Sequence, residues 1–577
     1  MTKKWVVNKE IPEESEKELE SYPKLARQLL FYRDIKSAGE AERFFNPDYE
    51  RDMHDPFLML GMEKSVLRIL KAIEGNEKIV VFGDYDADGI SGSVIFHDFF
   101  RKIGFENFHI HIPNRYKDGY GLTLGAIDEF IEGGIDLIIT VDCGITDVPE
   151  VKKAKDAGID TIIIDHHIVQ DDIPEAYSII DAKQDGETYP FKFLSGAGAA
   201  FKTVQGLIKR GTATGQFNIV DGWEKWLLDV VSIATVADMV SLRDENRTIV
   251  HFGLRVLRKT RRLGLISLYK KLKINSEYIN EDDIGFMVAP RINTASRMGH
   301  ATTSFNLLIT ENEEEAKTIA NDLEEKNGDR KESVQVILDA VEGKFAGKED
   351  TIPPIIVLGD FSWMPGVLGL AANRIMEKYQ RPVFLWGKAD AHEIKGSCRS
   401  DGTIDLVKFM ESVSDLFIGF GGHAMAGGFS VLPEKLDSLE KEAVEAYKKV
   451  EKMENGFATL EINNKLSLDD INWKNWNIIE KFAPFGMDNP KPVFMFENIK
   501  IEEVKEFGNG GIHLELSFTK TNGDMVKAIG FFMKVDRFSG ITLKEGGNID
   551  LVATMEKSMF RGVPELRLRI VDIREAE

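Results

Sequence analysis

Four short runs rich in Ile, Val and Phe, at 78–82, 108–112, 137–141 and 161–164, constrain this chain most. Helical patterns such as 89–103 and 122–132 separate them. Strands alternating with helices at this spacing predict right-handed βαβ units and a buried parallel sheet. The 577 residues suggest three or four domains. A second, glycine-rich α/β segment is expected from Ile355 to about Val450, after a long charged helix over 311–344 with a bend at Asn327-Gly328. The stretches 493–496, 499–507, 513–518, 525–532, 549–553 and 566–573 read as strands of a small β-barrel, with Asn522-Gly523 as a hairpin turn. Residues 1 to about 75 read as polar and helical, and 223–240 as one buried helix.

Ligands of open α/β sheets bind at the carboxyl ends of the strands. Here those ends carry Gly83-Asp84-Tyr85-Asp86-Ala87-Asp88-Gly89 after the first strand, Asp142 after the third and Asp165-His166-His167 after the fourth. So many carboxylates on one edge raise their own pKa values unless cations are present. Oxygen ligands with one or two imidazoles favour Mn²⁺ or Mg²⁺, one ion or two. Only Cys143 and Cys398 are present, too few for a disulfide framework or a Cys-rich zinc module.

The formal net charge of −22 should repel polyanions at long range. Any nucleic-acid function must then use bound metal or a local basic surface. The stretch 255–273, with eight Lys/Arg and no Asp or Glu, is a candidate for that surface, or else a solvated helix face. The opening residues lack the apolar core of a signal peptide, and no stretch approaches the roughly 18 apolar residues of a membrane span. The expected location is the cytoplasm, with no membrane partner.

The motif set Asp84-Tyr85-Asp86-Ala87-Asp88-Gly89, Asp142, Asp165-His166-His167 and Asp238 resembles that of the DHH phosphoesterases. The run 290–299 looks like the arginine motif of that family's RecJ branch. Gly396-Ser397-Cys398-Arg399-Ser400 and 420–428 resemble its DHHA1 domain, and 484–490 resembles the entry to its OB-fold. The resemblance implies an α/β multidomain chain: an N-terminal helical segment (1–74), a DHH domain (75–310), a connecting helix (311–349), a DHHA1 domain (350–455) and an OB-fold (456–577). The activity implied is metal-dependent 5′→3′ degradation of single-stranded DNA to mononucleotides. A small-substrate phosphodiesterase and an inactive nucleic-acid-binding scaffold are the alternatives.

The resemblance also assigns residues. Asp86, Asp88, Asp142, His166 and Asp238 would be metal ligands, with Asp142 bridging two ions and Asp84 binding water or a ligand's neighbour. His167 would contact the phosphate or leaving oxygen, while Arg291 and Arg297 neutralise the scissile phosphate. Ser397 and Arg399 match that family's 5′-phosphate pocket, while from the residues themselves Arg115 is expected to reach the same edge from the second strand end, Tyr120 between two glycines to stack a base, and the Gly421-Gly422-His423 loop to let backbone approach a phosphate. Two departures stand out. Phe82 occupies a position where small DHH phosphatases carry a histidine, and Met364 stands where the RecJ branch commonly has one. A monomer is expected, with a single-strand-binding protein and a RecQ-like helicase as the partners that the resemblance implies.

Overall fold

The computed structural model describes residues 4–348, 352–388, 394–453, 459–508, 510–535, 538, 541–559 and 562–576. The expected domain limits at 349/350 and 455/456 lie outside these residues. Two compact units emerge, one made of Met1–Met53, Ser241–His251 and Gly456–Glu577, the other of His54–Val240 and Phe252–Asn455.

The larger unit contains the parallel sheet. Its strands Ile79–Gly83, Phe108–His111, Leu137–Val141, Asp160–Ile164 and Ser178–Ile180 pair in parallel, with Ile79–Gly83 between Phe108–His111 and Leu137–Val141. Ile79–Gly83 and Leu137–Val141 are buried at every position, as strands covered on both faces must be. The fifth strand was not foreseen, because three residues after an irregular crossover leave no periodicity to read.

Helix Glu313–Phe345 runs unbroken, capped by Asn312, whose side chain accepts from the Glu314 and Glu315 amides. Its Val334, Ile337 and Val341 pack with Val367, Leu368 and Ala371 of helix Pro365–Tyr379. That helix covers a five-stranded mixed sheet ordered Gly419–His423, Ala426–Val431, Ile394–Arg399, Val383–Lys388, Ile356–Asp360.

Two expectations need correction here. The single buried helix over 223–240 is a 3₁₀ turn, Trp223–Leu227, followed by helix Leu228–Ala237, which stops where Met239 turns left-handed (φ 56°). The basic stretch is no continuous helix face, since helix Asp244–Leu257 ends inside it and Leu263–Leu272 starts anew. Its Arg262, partly buried, is held between Asp229 (2.8 Å) and Asp98 (2.7 Å) as a structural ion pair.

In the smaller unit a seven-stranded sheet encloses Phe494, Phe496, Leu514, Leu516, Phe518 and Leu551. Residues 493–500 form one strand bulged between Phe496 and Ile499, not two separate strands, and Glu503–Phe507 follows. The N-terminal stretch is not wholly helical. Lys4–Val7 is a strand paired in parallel with Thr459–Ile462, and Leu19, Leu29 and Leu30 join the core of the β-sheet. Asn489, in the segment that resembles the OB-fold entry, is buried. It donates to the Phe482 and Pro484 carbonyls and accepts from Arg33 Nε at 2.7 Å.

Candidate active site

The carboxyl edge of the parallel sheet converts chain direction into a cluster of donors. The backbone leaves strand Ile79–Gly83 at Asp84, whose N–H donates to the Val141 carbonyl (3.1 Å). It then turns into helix Ala87–Ile103, capped by Asp86, whose side chain accepts from the Asp88 (2.8 Å) and Gly89 (3.3 Å) amides. Asp88 is buried and accepts from the Gly196 (2.7 Å) and Ala197 (2.8 Å) amides that open helix Gly196–Ala213. A helix N-terminus stabilises negative charge in this way.

Asp142 leaves its strand with a left-handed backbone (φ 64°), a conformation that Asp tolerates better than most residues. Its Oδ1 lies 3.1 Å from His166 Nε2, which also sits 3.6 Å from both Asp88 Oδ2 and Asp238 Oδ2. Three donor groups each fall within 4.8 Å of one another: Asp84 with Asp86 and Asp142, Asp88 with His166 and Asp238, and Asp142 with His166 and His167. Asp142 therefore belongs to two of them, on either side.

The electrostatics fit a cation. Burial, then neighbouring Asp86, lifts Asp88 to about 7. Burial, then Asp88, lifts Asp238 to about 8. Asp84 and Asp142 are pushed well above the usual carboxylate range, first by burial and then by Asp86 and Asp88 respectively. Burial drops His166 to about 3, so its imidazole is neutral and able to ligate. Asp84 Oδ1 and His166 Nε2 are buried without a hydrogen-bond partner. Orphaned donor atoms of this chemistry, oxygen with one or two imidazoles, match a hard dication such as Mn²⁺ or Mg²⁺.

His167 behaves differently. Its Nδ1 lies 2.7 Å from Asp165 Oδ1, and against the effect of burial that hydrogen bond lifts the imidazole to about 9. Asp165 also accepts from the Ile145, His166 and His167 amides, so it orients both histidines. The Tyr120 hydroxyl donates to the Asp142 carbonyl and lies 3.1 Å from His167 Nδ1, leaving its ring about half exposed. Gly121 (φ +81°) permits this turn, because a Cβ there would meet the Asp147 carboxylate at 2.7 Å.

Beside this cluster lies a cleft of about 590 Å³ lined by Tyr85, Arg115, Arg297, Ser397, Arg399 and the Gly421–Gly422 backbone. Arg115 stacks over the Tyr85 ring (4.8 Å). Arg297 donates to the Gly366 carbonyl, and burial, then Arg115 and Arg330, lowers it to about 10. Arg399 donates to Ser397 Oγ and to the Cys398 carbonyl.

Two expected residues stand elsewhere. Arg291 is committed to Glu324 (2.7 Å) and the Met287 carbonyl, so its fork is already filled. His423 ends its strand in an exposed position and is not among the lining residues of the cleft. The two departures also find their places. Phe82 is fully buried and stacked on His111 (5.1 Å between centroids, 12° between planes), so this strand position feeds the core. Met364 caps helix Pro365–Tyr379 next to the cleft residues Pro365 and Gly366. Sequence reasoning missed Tyr85, Tyr116 (its hydroxyl donates to the Arg297 carbonyl) and Asn293, whose Oδ1 accepts from the Ala87 amide at 2.7 Å. Tyr85 and Asn293 lie inside the quoted motifs, which was the available signal.

Family models match the DHH family N-terminal domain over residues 78–235, the DHHA1 domain over 353–449 and the RecJ OB domain over 462–572. The single-stranded-DNA-specific exonuclease RecJ of Bacillus subtilis is 33% identical over 555 residues, covering 96% of this chain and 68% of that protein. Its Escherichia coli counterpart is 31% identical over 485 residues, covering 82% and 83%. The chain belongs to the RecJ family. Among solved structures, RecJ of Thermus thermophilus in complex with Mn²⁺ covers all of this chain and 80% of its own length (TM-score 0.81, 26% identity). A RecJ exonuclease bound to manganese covers 68% of this chain and 95% of its own (TM-score 0.59, 31% identity).

Proposed function

We propose that this RecJ-family chain is a metal-dependent exonuclease that shortens single-stranded DNA from its 5′ end, releasing nucleoside 5′-monophosphates. The observation that carries this reading is the adjacency of a carboxylate–histidine cluster and a cleft lined by three arginines. Asp84, Asp86, Asp88, Asp142, His166 and Asp238 would hold Mn²⁺ or Mg²⁺, with Asp84 joining the ligands because its oxygen has no other partner. The metal supplies polarisation of the scissile phosphate and acidification of a water.

In this reading Arg115, Ser397 and Arg399 grip the terminal 5′-phosphate, with guanidinium forks suited to it. The grip fixes the first internucleotide phosphate at the carboxylates. Arg297 counters the charge that develops there. A water oxygen bonds to that phosphorus and gives up a proton to solvent, the P–O3′ bond breaks, and the departing 3′-oxygen takes a proton. His167, held by Asp165 at 2.7 Å, is the group assigned in this reading to donate it. The exposed ring of Tyr120 offers a stacking face that accepts any base. A single-strand-binding protein and a RecQ-like helicase are partners this activity could use, and the cytoplasm is its proposed location. No described helix is long and apolar enough to cross a membrane.

The test is a panel of 5′-phosphorylated single strand, blunt duplex and dinucleotide, each labelled at either end and incubated with Mn²⁺. Label released at once as mononucleotide from the 5′ end of the single strand alone is the expected result. Early release from the 3′ end would reverse the polarity, and preferential dinucleotide cleavage would replace the reading with a small-substrate phosphodiesterase.

A further inference from the structure

On the far side of Arg399 lies a second cavity, of about 410 Å³, between helices Glu313–Phe345 and Pro365–Tyr379. Its wall includes Arg330, Lys331, Arg374 and Arg399, with Asn373 and a single carboxylate, Glu377. Glu377 accepts from the Asn373 amide (2.8 Å) and answers none of the cations. Among the described residues, Arg330 donates to the neutral Asn327 side chain alone (2.9 and 3.3 Å). Among the described residues, Lys331 and Arg374 make no ion pair or hydrogen bond. Burial, then the positive neighbours Arg291 and Arg374, pulls Arg330 below its usual range; burial, then Arg291, pulls Lys331 down against the opposing charge of Glu324.

A protein with net charge −22 that gathers Arg330, Lys331, Arg374 and Arg399 around one space, against the single lining carboxylate Glu377, has placed them for an anion. The cavity also adjoins the cleft. Gly369 and Arg399 line both, and a Cβ on Gly369 would come within 2.8 Å of Arg399 Nη2. One guanidinium is thus the partition between the two spaces.

We propose that this second cavity is a holding site for the released nucleoside 5′-monophosphate, passed from the cleft across Arg399. This rests on the exonuclease reading only for the source of the ligand. The recognised chemistry is a phosphate monoester dianion, which suits two or three guanidinium and ammonium donors. About 410 Å³ is within the usual range for a small-molecule site. Occupancy of the cavity would set Arg399 against two phosphates at once and slow the acceptance of the next terminal phosphate, so the product should inhibit the enzyme.

Two measurements test this, using the full-length chain and an Arg374→Glu, Lys331→Glu double variant. Both substitutions are at exposed residues outside the cleft and should leave the fold and the uninhibited kcat unchanged. In EDTA, calorimetric titration with dAMP should show two sites on the parent chain and one on the variant. Deoxyadenosine should fill neither, and inorganic phosphate should bind the second site at least tenfold more weakly than dAMP. With Mn²⁺ and a single strand, the inhibition constant for added dAMP should rise tenfold or more in the variant. An unchanged dAMP stoichiometry, an unchanged inhibition constant, or phosphate binding as tightly as dAMP would overturn the proposal. The EDTA arm is independent of cleavage, so failure of the exonuclease reading would leave its result standing.

Discussion

Asp142 is where one side chain serves two groups of donors, and it can be tested with little disturbance. Asn also tolerates the left-handed backbone at this position (φ 64°), so Asp142→Asn keeps the turn while removing the charge. Losing several kcal/mol of metal-assisted stabilisation predicts a fall in kcat of roughly a thousandfold or more. Calorimetry should show weakened Mn²⁺ binding with an unchanged circular dichroism spectrum. Asp165 acts through its neighbour. Asp165→Asn removes the carboxylate that contributes most to raising His167 to about 9, and the imidazole titration followed by NMR should move down from that value. At this scale the sequence was informative because strand ends are marked by abrupt Asp and His after β-branched runs. It could not show that Arg291 is spent on Glu324, 33 positions away, since an arginine in a motif looks the same whether its fork is free or filled.

Elements decide whether those residues meet. Helix Gly196–Ala213 begins against two strand ends at once, donating two amides to Asp88 and leaving no room beside Asp142. A Cβ on Gly196 would lie 2.5 Å from Asp142 Cβ and 2.8 Å from its Cα, so Gly196→Ala must push the helix or the turn aside. About 1–3 kcal/mol of destabilisation is expected from such overpacking. Because the displacement falls on Asp88 and Asp142 together, Mn²⁺ affinity should drop more steeply than the melting temperature, which parallel calorimetry and thermal melts would reveal. The parallel strands and the long helix were legible from periodicity alone, since burial on both faces writes apolar runs. Ser178–Ile180 was not, being too short to carry a period, and neither was the break at Leu227, where hydrophobicity continues across a change of helix type.

Across the whole molecule, what the sequence hides is partnership between distant segments. Lys4–Val7 pairs with Thr459–Ile462, and Trp5 Nε1 donates to Asp572 at 2.8 Å, contacts that no local pattern can announce. The charge cluster, by contrast, has a global consequence. Take the metal-free protein. Asp88 at about 7 and Asp238 at about 8 lie above their ordinary value of 3.8, so the folded state holds protons that the unfolded state has lost. Their stabilisation is complete below about 3.8 and disappears as pH rises through those two values. His167, raised from 6.5 to about 9, acts in the same direction above 6.5. His166, lowered to about 3, has the opposite sign, but its effect is confined to pH below 6.5. Between pH 6.5 and 8 these shifts therefore agree, and the melting temperature in EDTA should fall steadily across that window. Mn²⁺ binds the deprotonated carboxylates and stabilises by mass action, so the metal-induced rise in melting temperature should grow over the same interval. Thermal melts at pH 6.5, 7.25 and 8, with and without saturating Mn²⁺, measure both slopes. A melting temperature in EDTA that climbs with pH would mean that these carboxylates are not held protonated by burial and by one another, and the cluster would lose its electrostatic claim to be a cation site.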